Sequence, residues 1–173
     1  MITLETERLI LREFTFGDAE FIISLLNSPG WLQFIGDRNV KTIDDAKNYL
    51  LNGPMKSYSE NGFGLSMVET KNGHTPIGMC GLIKRVTLED IDIGFAFLPE
   101  FAGKGYAYEI ASAMMAHAKN VLGINKIVAI TVEDNEHSIK LLNKIGLKFE
   151  KRIQFPEDEE VLMLFSPALA ESK

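Results

Sequence analysis

The chain begins with an alternating pattern of apolar and polar residues that gives way to a helical one. Leucine and isoleucine alternate with charged residues over 3–14, which predicts a single strand there. A helix is then predicted from Asp18, because apolar residues recur at helical spacing up to the Ser-Pro-Gly at 28–30. The N-terminal segment is therefore predicted to form one strand and one short amphipathic helix.

A capping signal predicts the second helix. Thr42 is followed three residues later by Asp45, which resembles a capping box, and Gly53 is expected to end this helix. Pro54 can begin another helical turn behind it. The intervening segment 30–40 is predicted as a loop rich in aromatic residues. Those residues either cover a substrate or pack on the core, and the pattern leaves both open.

Three further strands are predicted over 63–70, 76–86 and 90–98. An Asn-Gly pair between the first two is typical of a hairpin turn, and a short connection joins the second to the third. All three strands are therefore expected to be antiparallel neighbours in one sheet.

The next pattern is that of a βαβ unit. A long helix is predicted from Tyr106 to Gly123, followed by a nearly all-apolar strand over 126–132 that should run parallel to 90–98. The buried stripe of this helix is predicted to be Ala107, Ile110, Ala111, Met114, Ala118, Val121 and Leu122. A last helix over 136–146 and a strand pair complete an α/β (α+β) fold, a central mixed sheet with helices on both faces.

The composition fits one globular domain. The chain has 173 residues, of which 46% are hydrophobic and 24% charged. We expect residues 1–168 to form a single domain and 169–173 a C-terminal tail that frays. Net charge is −6 and the basic residues are scattered, which disfavours nucleic-acid and membrane-surface partners. Monomer and homodimer are both left open.

The cysteine and histidine content predicts neither a disulfide nor a metal site. Cys80 is the single cysteine, and His74, His117 and His137 lack metal-ligand spacing. The N-terminal segment is charged throughout and lacks the apolar core of a signal peptide. No apolar stretch approaches the ~18 residues of a membrane span, so a cytoplasmic protein is predicted.

A glycine-rich turn predicts an anion-binding loop. Gly103, Lys104 and Gly105 lie between a strand and a helix, where unpaired N–H groups and the helix dipole favour an anion. The spacing fits neither a Walker A loop nor a dinucleotide fingerprint, because Leu98 and Tyr108 stand where those motifs need glycine. On this segment alone, a glycine-rich start to a helix that binds nothing is the alternative.

This loop and a later segment together resemble a known family. "GKGYA" at 103–107 and "NEHSIKLLNKIGLKFE" at 135–150 resemble the acetyl-CoA-binding core of the GNAT N-acetyltransferase superfamily, specifically its RimJ/RimL-like branch of ribosomal-protein N-terminal acetyltransferases. Asn135, Ser138, Lys144 and Gly146 match the pattern of the branch, whereas Leu147 replaces its aromatic residue. The segments "ETERLILREF" and "IGMCGL" are also similar. The resemblance therefore covers nearly the whole chain and implies the GNAT acyl-CoA N-acyltransferase fold.

The resemblance implies acetyl-CoA as cosubstrate, no metal, and a set of binding residues. Backbone amides of Phe97 and Leu98 would hold the pantetheine arm, where strand 90–98 parts from strand 126–132. The remaining residues implied in coenzyme binding are Gly103, Lys104, Gly105, Tyr106, Ala107, Asn135 and Ser138. Two positions depart from the family pattern, since Ala102 replaces a Gln or Arg of the loop and Leu142 replaces a tyrosine that serves as general acid.

The resemblance also implies catalytic roles for Asp92 and Ser138. Asp92 stands where related sequences often have Glu and would act as general base through a water molecule, with Asp90 as the second choice. A carboxylate placed on the strand for solubility is the alternative. Ser138 would hydrogen-bond the sulfur of coenzyme A, although it could also belong to a helix cap with Asn135.

The function predicted is direct transfer of an acetyl group from acetyl-CoA to a primary amine within a ternary complex. The acceptor is either a protein N-terminus or a small molecule such as an amino acid, a polyamine or an antibiotic. A non-catalytic acyl-CoA-binding regulatory module and a protein scaffold are the competing classes.

Overall fold

Alternating apolar residues build one sheet in the computed structural model, which describes residues 1–168. Its eight strands within that range are β1 Ile2–Glu5, β2 Leu9–Arg12, β3 Leu65–Thr70, β4 Pro76–Ile83, β5 Ile91–Phe97, β6 Ile127–Thr131, β7 Leu147–Ile153 and β8 Leu162–Pro167. Their order across the sheet is β1-β2-β3-β4-β5-β6-β8-β7. Neighbours are antiparallel except β5 and β6, which are parallel. The predicted mixed sheet is thus confirmed.

Six α-helices flank the sheet within the described range. They are α1 Ala19–Leu26, α2 Pro29–Phe34, α3 Ile43–Leu50, α4 Lys56–Asn61, α5 Tyr106–Asn120 and α6 Glu136–Lys144. The capping box of α3 is confirmed, because the Asp45 amide donates to Thr42 Oγ1 at 3.1 Å and the Thr42 amide donates to Asp45 Oδ2 at 3.0 Å. None of these helices is long and apolar enough to cross a membrane.

The prediction of one strand over 3–14 is wrong, because the chain reverses direction in the middle of it. The Thr6 amide donates to the Leu9 carbonyl at 2.9 Å, and Thr6 Oγ1 accepts from the Leu9 amide at 3.1 Å. β1 and β2 therefore pair as an antiparallel hairpin. Alternation persists on both sides of the turn, so the pattern alone does not reveal the reversal.

The predicted helix stop at Gly53 is also wrong. A π-helical turn over Leu51–Met55 contains Gly53 and Pro54 and leads directly into α4. The left-handed glycine that ends this helical segment is Gly62, with φ of 77°. The predicted turn behind Pro54 is confirmed.

Two smaller expectations also need correction. The predicted loop 30–40 begins as a helix, because Pro29 occupies the first turn of α2 and its fixed φ suits that position. Val121, predicted in the buried stripe of α5, is 68% exposed, because the helix ends at Asn120 and the chain leaves its axis there. The predicted C-terminal tail, 169–173, lies outside the described residues.

Each face of the sheet carries its own hydrophobic core. α5 and α6 cover one face through Ile110, Met114 and Leu142, whereas α1 and α3 cover the other through Leu25 and Leu50. Along β5, Ile91, Ile93, Phe95 and Phe97 pack into the first core, and Ala96 packs against the second. Asp92 and Gly94 share the Ala96 face by alternation, as predicted, which directs Asp92 toward the layer of α1 to α4.

Candidate active site

The centre of the sheet opens between its two parallel strands. β5 and β6 pair only at Ile91 with Ile127 and at Asp92 with Val128. Beyond this point the two strands no longer pair, and β6 pairs with β8 on its other edge, beginning at Ala129. The remainder of β5 therefore has an edge without a strand beside it, and the split between the strands forms a slot in the sheet.

Backbone amides of β5 face this slot at every second residue. The Leu98 amide donates to the Ile77 carbonyl at 2.9 Å, on the β4 side. In an antiparallel ladder the bonding direction alternates, so the amides of Phe95 and Phe97 point to the open edge. The predicted amide of Phe97 is thus on the correct edge, whereas that of Leu98 is not, because its N–H is already used within the sheet.

A cavity of about 570 Å³ extends from this slot toward the helical layer of α1 to α4. On the α6 side it is lined by Asn135, Ser138 and Leu142. On the other side it is lined by Trp31 and Tyr49, which come from α2 and α3. The cavity therefore connects the open edge of β5 with the segment 30–40, whose aromatic residues partly cover it and partly pack on the core.

Asp92 lies in the wall of this cavity and is almost completely buried, at 1% exposure. Arg85, which follows β4, donates from Nε to Asp92 Oδ1 at 3.0 Å. Burial raises the pKa of Asp92 above its ordinary value, and the positive charge of Arg85 only partly opposes this shift. A carboxylate that faces a cavity and has a raised pKa is a stronger base than an ordinary aspartate.

The second candidate base, Asp90, lies outside the cavity. Its Oδ2 forms an ion pair of 2.9 Å with Lys126 Nζ, and its side chain is 29% exposed. Asp90 and Asp92 are alike in type and two residues apart on the chain, yet Asp92 alone of the two lines the cavity. Asp90 is therefore a matched control for Asp92.

Ser138 and Asn135 meet at the start of α6. Asn135 Oδ1 accepts from the Ser138 backbone amide at 3.2 Å, so Asn135 caps the helix as the alternative interpretation predicted. The cap involves only the backbone of Ser138. The Ser138 hydroxyl has no hydrogen-bond partner within residues 1–168 and is available to a ligand. Leu142, one turn further along α6, presents an apolar side chain to the cavity where the family pattern has tyrosine.

The predicted anion-binding loop lies between β5 and α5. Gly103 and Gly105 have φ of 74° and 80°, in the left-handed region that favours glycine. Gly105 is the N-cap of α5, and Tyr106 and Ala107 form its first turn, where the amides lack helical partners. Lys104 Nζ lies 5.7 Å from the Phe101 ring. The loop thus has the open backbone geometry expected of a phosphate-binding turn.

Arg8, in the β1–β2 hairpin, holds this loop in place through contacts that no sequence motif indicates. Its Nη1 donates to the Lys104 carbonyl at 2.9 Å, and its Nε donates to Glu109 Oε2 at 2.7 Å. Glu109 also accepts from Thr6 Oγ1 at 2.6 Å. The guanidinium stacks 4.5 Å from the Tyr106 ring. In the sequence, Arg8 only contributed to the resemblance of the N-terminal segment.

Sequence reasoning also missed Arg38, Tyr49 and Arg85, which line the cavity together. These residues belong to three different segments, and no local motif connects them. The register of β4 on β5, with Ile83 opposite Asp92, is the signal that brings Arg85 close to Asp92.

The described residues provide no grouping of three His, Cys, Asp or Glu side chains that could hold a metal ion. Cys80 is buried, and burial raises the pKa of its thiol to about 12. Neither observation assigns a ligand to the cavity.

Comparisons with known proteins agree with this geometry. A family model described as "Acetyltransferase (GNAT) domain" matches residues 8–148. The chain is 30% identical over 149 residues to the uncharacterized N-acetyltransferase YoaA of Bacillus subtilis (strain 168). The aligned region covers 85% of this chain and 83% of YoaA.

Solved structures show the same fold. The ribosomal-protein-S5-alanine acetyltransferase of Vibrio fischeri superposes with a TM-score of 0.79 at 21% identity and covers 100% of both chains. The ribosomal L7/L12 alpha-N-protein acetyltransferase RimL in complex with coenzyme A superposes with a TM-score of 0.81 at 15% identity, covering 96% of this chain and 97% of that one. At these identities the likeness concerns the fold alone.

Proposed function

The chain belongs to the GNAT acetyltransferase family, and we propose that it transfers the acetyl group of acetyl-CoA to a primary amine. The observation that carries this proposal is the split between β5 and β6, which leads from an open row of amides to a cavity containing Ser138 and Asp92. The family establishes acetyl transfer. The amine acceptor and the roles of individual residues are the proposal.

The loop and the open strand edge fit a coenzyme A molecule. Amides of the segment 103–107 and the N-terminus of α5 would hold the pyrophosphate, with Lys104 adding a positive charge. The Phe97 amide would hold the pantetheine arm in the slot. Acetyl-CoA supplies a thioester whose carbonyl carbon accepts the amine.

Proton transfer is assigned to residues in the wall of the cavity. A primary amine attacks only when it is neutral, so a base must take a proton from its ammonium form. Asp92 would take this proton through a water molecule. The Ser138 hydroxyl would donate a hydrogen bond to the departing sulfur, which replaces part of the role that tyrosine has at position 142 in the family.

A competing proposal is a regulatory module that binds acyl-CoA without turnover. It is favoured by Leu142, which cannot act as an acid, and by the ion pair that holds Asp92 to Arg85. Binding of coenzyme A would then persist without release of a free thiol in the presence of amines.

Further parts of the proposal concern the whole molecule. We infer that residues 1–168 form one catalytic domain of the RimJ/RimL-like branch, with a protein N-terminus or a small molecule as acceptor. A cytoplasmic location and a monomeric or homodimeric state belong to the same proposal.

Two measurements on the purified protein test it. A thermal shift with coenzyme A reports binding, because a ligand of the native state raises apparent stability. Thiol release from acetyl-CoA with a panel of amines reports transfer. We expect a stabilising shift and amine-dependent release. Binding with no release for any amine, unchanged in Asp92→Asn and Ser138→Ala, would instead establish the regulatory module.

A further inference from the structure

We propose that the acceptor is a free amino acid whose carboxylate is bound by Arg38 and Arg85 while its amine lies beside Asp92. This inference rests on the proposed acetyl transfer and deepens it by naming the class of acceptor. It follows from the distribution of charges inside the cavity.

Arg85 retains unused donors within the cavity. A guanidinium has five N–H donors, and the hydrogen bond from Nε to Asp92 uses one of them. In the described part of the chain the two terminal nitrogens of Arg85 have no hydrogen-bond partner. The side chain is 33% exposed, so these nitrogens are accessible to a ligand.

Arg38 supplies a second guanidinium to the same cavity. It follows α2 in an exposed segment, and it forms no ion pair with any residue of the range 1–168. Planar guanidinium groups bind carboxylates through paired hydrogen bonds, which makes an unpaired arginine facing a cavity a natural carboxylate receptor.

Tyr49 lines the same cavity as the two arginines. Burial raises the pKa of its hydroxyl, and the positive charges of Arg38 and Arg85 both act on it in the opposite direction. The cavity wall therefore contains two guanidinium groups and a single buried carboxylate, Asp92, and can accept one more negative charge.

The arrangement of Arg85 and Asp92 matches a zwitterion. Their charged atoms are 3.0 Å apart, so opposite charges stand side by side in the cavity wall. An amino acid also carries its ammonium and carboxylate side by side. A bound amino acid with its charges antiparallel to those of this ion pair would direct its amine to Asp92 and its carboxylate to the arginines. Trp31 and Phe34 offer an apolar surface to its side chain.

Acidic residues also line the cavity. Their negative charges would favour a cationic polyamine as acceptor over a free amino acid. Asp158 and Glu160 are exposed, and Asp158 Oδ1 already accepts from the Glu160 amide at 3.0 Å. Charges exposed to solvent, that of Arg38 included, are screened and interact weakly with a ligand. Arg85 is mostly buried beside Asp92, where water is scarce, and is therefore the stronger partner for a carboxylate. The inner end of the cavity therefore decides the acceptor.

The test compares a free amino acid with its own primary amide. A panel of free L-amino acids with uncharged side chains first identifies the best acceptor by thiol release. We expect its primary amide, which keeps the amine and lacks the negative charge, to show kcat/KM lower by about tenfold or more, as for a lost charged hydrogen bond. Spermidine and a peptide with the same N-terminal residue should be poorer acceptors than the free amino acid.

Arg38→Gln identifies the group responsible. It should lower kcat/KM for the free amino acid more than for the amide, so that the preference for the free amino acid shrinks. Lys47→Gln, which removes an exposed cation of α3 away from the cavity, should retain the full preference. Should Arg38→Gln not fold, the acid and amide comparison on the unmodified protein still decides.

Equal or faster acetylation of the amide, the peptide or spermidine would overturn this inference and leave acetyl transfer intact. A preference for the free amino acid that survives in Arg38→Gln would exclude Arg38 as its source. Absence of thiol release with every amine would contradict the proposed function itself.

Discussion

Asp92 is the single residue on which the proposed chemistry depends most. Because its pKa is raised by burial, the proton-accepting form is lost at a higher pH than for an ordinary aspartate. Activity that requires this carboxylate should fall as the pH falls through that raised pKa. The acidic side of the kcat/KM profile should therefore lie above pH ~4, the range of an unperturbed aspartate.

Asp92→Asn should reduce kcat/KM by about 10²- to 10⁴-fold, the usual contribution of a general base, and remove the acidic limb of the profile. Steady-state thiol release measured across pH checks both. Asp90→Asn is the matched control and should retain most of the activity, since Asp90 pairs with Lys126 outside the cavity. Equal losses in both variants would contradict the assignment of Asp92 as base.

Roles of individual residues could be predicted from the sequence only where a motif or the alternation of side chains along a strand indicates them. Asp92 is proposed because strand alternation and the family pattern point to the same position, and its side chain lines the cavity. Arg85 was not found, because its contact with Asp92 depends on the register between two strands. Leu98 was assigned wrongly because amide direction alternates with that same register, which the sequence does not specify.

At the scale of elements, the β1–β2 hairpin supports the anion-binding loop. Arg8 fixes the Lys104 carbonyl and pairs with Glu109 in the first turn of α5. Arg8→Gln should loosen the loop and raise KM for acetyl-CoA about fivefold, the equivalent of about 1 kcal/mol for one hydrogen bond to a charged group that is partly exposed. The value of kcat should change little, because Arg8 is remote from Asp92 and Ser138.

Initial rates measured at varied acetyl-CoA concentration and saturating amine concentration determine KM for acetyl-CoA and kcat separately. Lys71→Gln is the control, since Lys71 pairs with Glu5 at 3.4 Å in the same hairpin region without contacting the loop. It should leave KM unchanged. A fall in kcat with an unchanged KM in Arg8→Gln would show that the hairpin acts on the chemistry instead of on coenzyme binding.

Starts of elements were predicted better than their ends. Thr42 marks the beginning of α3 because a capping side chain has a specific hydrogen-bond partner. Gly53 does not end the helix, because glycine can adopt either helical or left-handed backbone angles. Here Gly53 lies inside the π-helical turn over Leu51–Met55. The hairpin at Thr6 was missed for a similar reason, since alternation is unchanged by a tight turn.

At the scale of the whole molecule, a buried ion network joins the sheet to the layer of α1. Arg12 of β2 donates to both carboxylate oxygens of Asp18 at 2.9 Å and to Glu69 of β3 at 3.1 Å. Burial alone would raise the pKa of Asp18, but hydrogen bonds from Arg12 and Thr15 outweigh it, and the pKa is lowered. The ionised carboxylate is therefore favoured by the folded state.

Asp18→Asn should lower the free energy of unfolding by about 3 kcal/mol at pH 7, because it breaks a buried pair and leaves Arg12 with one partner less. Urea unfolding at several pH values measures this. With a lowered folded pKa, the contribution of Asp18 is complete above the unfolded pKa of about 3.9 and is lost as the pH falls through the folded pKa. The difference between the two proteins should shrink below pH ~4.

Glu133→Gln is the comparison for that experiment. Glu133 pairs with Arg152 at 2.9 Å on the exposed surface, where such pairs contribute about 0–1 kcal/mol. Its effect should be small and nearly independent of pH. A similar loss in both variants would show that the Arg12 network is no more stabilising than a surface pair.

The order of elements was predicted for most of the chain, because the βαβ unit and the three-strand meander have clear local patterns. The final strand pair was predicted as well. The placement of β8 between β6 and β7 was not predicted, because local periodicity carries no information on the order of distant strands. β8 pairs with the edge of β6 that lies away from β5.

The most direct test of the account uses acetyl-CoA labelled in its acetyl group and mass spectrometry of the amine. Amine acceptors should span free amino acids, polyamines and peptides with a free N-terminus. We expect a primary amine that gains the labelled acetyl group with stoichiometric release of coenzyme A, and much less product with Asp92→Asn at equal enzyme concentration. Coenzyme A binding measured by calorimetry, with no labelled amine from any acceptor, would contradict it.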